Sequence, residues 1–288
     1  MSTNRSNLKA TVAILGGTRN LGYYISKIFL TEYRWAFPTV RLTTREASSA
    51  KAQELAKLGA EIHSFDDSLD TFLAGVDLVV NTLSISVTLE FKTGLLHALV
   101  RNGVKVYFPA STPASNDYVN TDLFPGYSHE EWPKKRALAL ETNAILEGKV
   151  KIIRLDAGGF LTWWVGPGRL FNWDAEKNVY TIVGPSTVAV LALDPATAAT
   201  VPGHIYFAGN IVNYEDLREI VSHIKGVSKR EIVCKDIAAS KEALKKNPTQ
   251  NVLDYVIILT GEGNDNEFVN PGQSLWKWKT VEEELRGL

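Results

Sequence analysis

The chain has a single cysteine, Cys234, in 288 residues, which excludes an internal disulfide and leaves no thiol cluster for a metal. It has almost no net charge. Against 31 Lys and Arg stand 32 Asp and Glu, so it exerts no general attraction on nucleic acid or on an anionic membrane surface. No unbroken apolar run approaches the roughly 20 residues of a membrane span. The opening "MSTNRSNLKA" has no apolar core of the kind a secretory leader carries. The five histidines, His63, His97, His129, His204 and His223, show neither His-x-x-x-His nor His-Glu-x-x-His spacing, and no metal site is expected. A Gly-x-Ser-x-Gly elbow for a serine hydrolase is missing too. Four residues after Tyr107, Tyr118 and Tyr127 stand Ser111, Asp122 and Glu131, where a short-chain alcohol dehydrogenase places the lysine that lowers its tyrosine's pKa. These absences leave a cytoplasmic protein of ordinary composition, 45% hydrophobic and 22% charged, whose partner is a small molecule.

What is present is alternation. "TVAIL" (11–15) is short, β-branched and apolar, which predicts a buried strand. The next segment, "NLGYYISKIFLTEY", spaces Leu21, Ile25, Ile28 and Phe29 as a helix does. Strands follow at 39–44, 60–65, 76–83, 104–110 and 150–155. The segments between them read as helices, one capped by serine and closed by Gly59, another long and ending at Gly148. Six strand–helix alternations predict an α/β fold, a doubly wound parallel sheet of the Rossmann type, over residues 1–156. Residues 157–288 read as a smaller α+β substrate lobe, some of whose segments return to the sheet. In this lobe "NYEDLREIVSHIKG" is a helix capped by Asn213 and followed by Gly226.

Ligands of such folds bind at the carboxyl ends of the strands, near the switch point. The loops to watch are therefore Gly16–Gly22, Thr44–Arg45, Asp66, Leu83–Ser86 and 109–113. "GGTRNLG" (16–22) lies between the first strand and the first helix, where a phosphate-binding turn belongs. Gly16 permits a sharp turn, Gly22 close packing of helix on sheet, and the free N–H groups at the helix start face a pyrophosphate. At the end of the second strand an acidic residue would accept from the ribose hydroxyls of NAD. Arg45 stands there instead and offers charge-assisted bonds to a 2′-phosphate, which points to NADP(H). A solvated loop arginine is the competing reading.

These motifs resemble the NmrA-like and isoflavone-reductase-like family of atypical short-chain dehydrogenases. The resemblance runs from "GGTRNLG" and "RLTTR" through "SLDTFLAGVDLVVNTLS" and "VKVYFPAST" to "VKIIRLDAGGF", and returns in "IYFAGNIVNYEDLREIVSHIKG". It implies a cofactor site built from Gly16, Gly17, Thr18, Arg19, Asn20, Leu21 and Gly22, with Thr44, Arg45, Asp66, Leu83, Ser84, Pro109, Ala110 and Ser111. Asp66 is the residue left for the adenine edge, because the family's Gly-Asp is reduced here to "SFDDS". The chain also departs from the family at Arg19, where the turn usually has its second glycine, and in a shortened "YTIVGPSTVAVLALDPAT".

By the same resemblance the catalytic lysine lies on the helix before the sixth strand. Lys135 of "WPKKRALALE" fits the family spacing better than Lys134, as proton relay or oxygen anchor beside a hydride-donating nicotinamide. Two surface lysines at the start of a helix are the plain alternative. His129, Phe160, Trp163 and Trp164 are candidates for the substrate pocket, or else loop and lobe-core residues. Three functions fit: an NADPH-dependent reductase of a small aromatic or enone-like metabolite, a non-enzymatic NADP sensor that docks a regulatory protein, or an isomerase, lyase or cyclase on a reused scaffold. The assembly expected is a monomer or homodimer.

Overall fold

The structure, a computed structural model, describes residues 9–84, 86–110, 124, 126–157, 173–174, 179–183, 190–192, 204–207, 210–249, 251, 254–258 and 281–286. The chain divides into two compact units: residues 1–110 with 137–154, and residues 111–136 with 155–288.

In the first unit strands and helices alternate: β1 (Thr11–Leu15), α1 (Asn20–Thr31), β2 (Thr39–Thr44), α2 (Ala50–Lys57), β3 (Glu61–Ser64), α3 (Leu69–Leu73), β4 (Leu78–Asn81), α4 (Leu89–Arg101), β5 (Val106–Phe108), α5 (Glu131–Leu146), whose residues 131–136 belong to the second unit, and β6 (Lys151–Ile152). The six strands form one sheet in the order β3-β2-β1-β4-β5-β6, every neighbouring pair parallel. The order reverses between β1 and β4, so the switch point lies at the carboxyl end of β1.

Strand β1 explains why the sheet is covered on both faces. Val12, Ala13, Ile14 and Leu15 are all fully buried, and alternate residues serve opposite layers. Val12 and Ile14 join Leu30, Val40, Leu42 and Leu55 on one face. Ala13 and Leu15 join Leu73, Val79, Leu95, Leu99 and Leu146 on the other. Each large aliphatic buried in this way contributes about 1.5–3 kcal/mol.

Four predicted strands come out differently: the third is Glu61–Ser64 rather than 60–65, and the fifth is Val106–Phe108 rather than 104–110. The fourth is Leu78–Asn81 rather than 76–83. The sixth, expected over 150–155, is β6 alone, and Arg154–Ala157 forms a separate strand, β7, that pairs outside the six-stranded sheet. The cause is the neighbour: β6 is an edge strand whose partner β5 is three residues long, so the ladder runs out after Ile153 donates to Tyr107 O at 3.0 Å.

The second unit holds β8 (Trp173–Asp174), β9 (Val179–Val183), β10 (Val190–Ala192), β11 (His204–Phe207), β12 (Asn210–Val212), α6 (Tyr214–Lys225), β13 (Glu231–Lys235), α7 (Ile237–Lys246) and α8 (Val281–Arg286). Strands β13, β9 and β8 make a three-stranded sheet, and β10 pairs with β12. Helix α6 begins as the sequence predicts. The Asn213 side chain accepts from the N–H of Asp216 and the Asp216 carboxylate accepts from the N–H of Asn213, a reciprocal cap. It ends at Gly226 in the left-handed conformation, φ 61°. Strand β13 carries no sequence signal because four of its five residues are exposed and no apolar alternation results.

Candidate functional site

The turn after β1 is built by close approach. Gly16 has φ +76°, a conformation that favours glycine, and a Cβ there would stand 3.2 Å from Thr82 Oγ1. A Cβ on Gly22 would overlap the Gly16 carbonyl oxygen and come within 2.5 Å of Thr82 Oγ1. Gly17 is enclosed by Leu42 and Ser26, each 3.0 Å from where its Cβ would lie. The N–H of Arg19 donates to Gly16 O at 3.1 Å and closes the turn. Asn20, the first helical residue, has φ +35°, which asparagine tolerates better than most residues.

Helix α1 starts without a cap. Arg19 stands at the N-cap with no side-chain bond to the helix, and the first turn has no acidic residue. The leading N–H groups of any helix lack intrahelical acceptors, and here no side chain among the described residues supplies one. The end of the helix that attracts anions is thus left open to the loop.

Hydroxyls lock this turn to the neighbouring strand ends. Thr43 Oγ1 accepts from the N–H of Gly16 at 3.0 Å, and Thr18 and Thr44 share a hydroxyl–hydroxyl bond of 3.0 Å. From β4's side Thr82 Oγ1 donates to Leu15 O at 2.7 Å, and Ser26 of α1 donates to Gly17 O at 3.0 Å. A buried pair holds the β4 end. Asn81 Nδ2 donates to the Tyr107 hydroxyl at 3.0 Å while Asn81 Oδ1 accepts from the N–H of Leu83. Burial pushes the Tyr107 hydroxyl up to about 12, against smaller opposing effects of Asn81 and Arg154. It is a neutral structural group, not an acid–base catalyst near pH 7.

The sequence-predicted cofactor residues therefore divide by role. Gly16, Gly17, Thr18, Arg19, Asn20, Leu21 and Gly22 form one turn, and Thr44 is bonded to it through Thr18. Arg45 is exposed, and among the described residues its guanidinium has no hydrogen-bond or ion-pair partner. Asp66 is exposed just past β3 and donates its N–H to Ser64 Oγ at 3.2 Å. Beside it Phe65 donates its N–H to Thr44 O and stacks on Phe91 of α4, ring centres 4.8 Å apart. Leu83 and Ser84 follow β4, and Pro109 and Ala110 follow β5, all at carboxyl ends of strands. Ser111, Phe160, Trp163 and Trp164 lie outside the described residues.

The remaining candidates belong to the second unit. His129 is buried, its ring edge-on to Tyr255 at 5.3 Å, within an aromatic cluster of Phe124, Trp132 and Tyr255. Its Nδ1 accepts from the N–H of Glu131, which ties the imidazole to the start of α5. Lys134 is bound to Glu130 and Glu131 at 3.2 and 3.3 Å, and these hydrogen bonds raise its pKa. Lys135 is half-buried on the same turn.

The Tyr-x-x-x-Lys spacing does occur once, at Tyr23 and Lys27 of α1. Both side chains bond Glu54 of α2, at 2.6 and 2.9 Å. The bond to Glu54 raises the tyrosine's pKa, the reverse of what a tyrosine catalyst needs. The pair fastens two helices. Sequence reasoning missed Thr43, Thr82, Asn81 and Ser26. The one signal was polarity at the end of an apolar strand, "VVNT" (79–82). Among the described residues no group of His, Cys, Asp and Glu is placed to hold a metal, and no helix is long and apolar enough to cross a membrane.

A six-stranded parallel sheet in this order, with helices on both faces and a glycine turn at the switch point, defines a Rossmann-type fold. Within that class residues 8–136 match the model of the NmrA-like family. Solved structures agree over nearly the whole chain. Isoflavone reductase matches with TM-score 0.72 and 16% identity, covering 97% of this chain and 99% of that one. The complex of leucoanthocyanidin reductase with NADPH from Vitis vinifera matches with TM-score 0.68 and 16% identity, over 96% and 98%. The Citrobacter sp. triphenylmethane reductase with NADP(H) matches with TM-score 0.61 and 15% identity, over 96% and 99%. No curated protein matches significantly by sequence.

Proposed function

We propose that the chain is an NADPH-dependent reductase of a small aromatic or enone-like metabolite. The observation that carries this reading is the turn at the switch point: Gly22 with no room for a Cβ, Gly16 and Gly17 with only tight room, an uncapped α1, and an Arg45 one residue past β2 that has no partner among the described residues. Phosphate oxygens are what such a cradle accepts. The N–H groups of residues 20–22 would hold the pyrophosphate, Arg45 the 2′-phosphate and Asp66 the adenine edge. The nicotinamide supplies hydride when bound. Lys135 is the residue proposed to hold the substrate oxygen and deliver its proton, and its pairing with this fold rests on the family resemblance. Isoflavone and leucoanthocyanidin reductases among the structural relatives support the aromatic substrate class.

The test is calorimetric titration of the purified protein with NADPH and NADH, followed by NADPH oxidation over a panel of aromatic enones. Expected are tighter binding of NADPH than of NADH, and turnover that Lys135→Ala abolishes while leaving NADPH affinity intact. Equal affinity for the two cofactors would remove the phosphate role of Arg45. Binding without turnover on any acceptor would favour a dinucleotide sensor over a reductase.

A further inference from the structure

Arg19 occupies the position where the family's turn usually has its second glycine, and it does not stand alone. Thr18 and Thr44, the residues that precede Arg19 and Arg45, are buried and share a hydrogen bond of 3.0 Å. That bond pins together two backbone points 26 residues apart in sequence, and each arginine begins one step, about 3.8 Å, beyond its threonine. The backbone on both sides is fixed. Arg19 donates its N–H to Gly16 O, and Glu46 donates its N–H to Thr44 Oγ1 at 3.2 Å. Both arginine side chains are exposed, and among the described residues neither guanidinium has a partner. Glu46, next to Arg45, makes no ion pair with it. Two exposed positive charges that lack partners among the described residues, each one residue beyond the Thr18–Thr44 bond, favour an anion between them.

We propose that Arg19 and Arg45 jointly clamp the 2′-phosphate of NADP(H), so that the loss of a glycine from the turn is a gain of cofactor selectivity. The inference rests on the NADPH reading above and adds to it a second ligand from an unexpected position. A phosphate monoester carries about −1.5 to −2 charges at pH 7, which two guanidiniums match. Their planar forks suit its oxygens and reach it from two turns.

The experiment compares wild type, Arg19→Gly, Arg45→Ala and the double variant, each titrated with NADPH, NADH and 2′,5′-ADP. Arg19→Gly restores the family's residue at an exposed position, so the fold is retained. It is expected to weaken NADPH and 2′,5′-ADP binding about tenfold, the scale of one charge-assisted bond, and to leave NADH unchanged. The double variant is expected to bind NADPH no better than NADH. An equal loss for NADPH and NADH in Arg19→Gly would put the arginine on the pyrophosphate and overturn the clamp. Unchanged or tighter NADPH binding would overturn it as well. Wild type that binds no dinucleotide overturns both this inference and the reductase reading. Wild type that binds NADPH, with an indifferent Arg19→Gly, overturns the clamp alone.

Discussion

Replacing Gly22 by alanine separates close approach from helix propensity. Gly22 lies in the first turn of α1, and in an open helix its replacement by alanine would gain about 1 kcal/mol. Here the added methyl would overlap the Gly16 carbonyl and stand 2.5 Å from Thr82 Oγ1, well inside the 3.4 Å at which ordinary contact begins. Neither neighbour yields easily. Gly16 O is backbone in a left-handed turn, and Thr82 Oγ1 already donates to Leu15 O at 2.7 Å. Overpacking of this kind costs roughly 1–3 kcal/mol or more, and an overlap with a backbone carbonyl oxygen belongs at the upper end, so after the propensity gain the net loss is about 2 kcal/mol. Gly94 in α4 is the control, since a Cβ there meets nothing within 4 Å. Thermal unfolding should place Gly22→Ala a few degrees below wild type and Gly94→Ala a few degrees above it, at about 2–4 °C per kcal/mol. Titration with NADPH should show the loss of affinity in Gly22→Ala only. A Gly22→Ala protein that melts with wild type and binds NADPH equally well would refute the claim that the helix must approach the turn this closely.

Tyr107→Phe strands the buried Asn81 amide and should cost about 1–3 kcal/mol in urea unfolding, loosening the loop at Leu83. It should also flatten the alkaline limb of stability. Tyr107 ionises at about 12 when folded and near 10 when unfolded, so its contribution is complete below pH 10 and is lost as pH rises towards 12. A melting temperature that falls as steeply with pH in the variant as in wild type between pH 10 and 11.5 would count against this assignment. In the second unit, Asn213→Ala removes the acceptor of the Asp216 N–H. It should destabilise the start of α6 by about 1 kcal/mol, seen as roughly fivefold faster amide exchange in its first turn, with Asn213→Ser restoring protection. Unchanged exchange would show that tertiary packing, not the cap, holds that end.

The sequence by itself determined the parallel α/β sheet, the place of the glycine turn within it and both ends of helix α6. These follow from local rules: the period of apolar residues, the Cβ-free positions a sharp turn requires, and the side chains that cap helix ends. It also pointed to the NmrA-like family, and residues 8–136 bear that out. Tertiary structure decided what touches the turn. Thr18 and Thr44 are 26 residues apart, as are Asn81 and Tyr107, and Thr82 lies 67 residues from Leu15. No local pattern marks such pairs, because register between strands is set by the whole sheet. The same holds for the edge at Ile153, where the sixth strand stops for want of a neighbour, and for Tyr23 and Lys27, whose spacing suggests chemistry until Glu54 of the next helix engages both. Arg19 shows the division most plainly. In sequence it is a missing glycine, and only the hydroxyl bond between Thr18 and Thr44 roots it beside Arg45, because that bond joins two turns the chain keeps far apart.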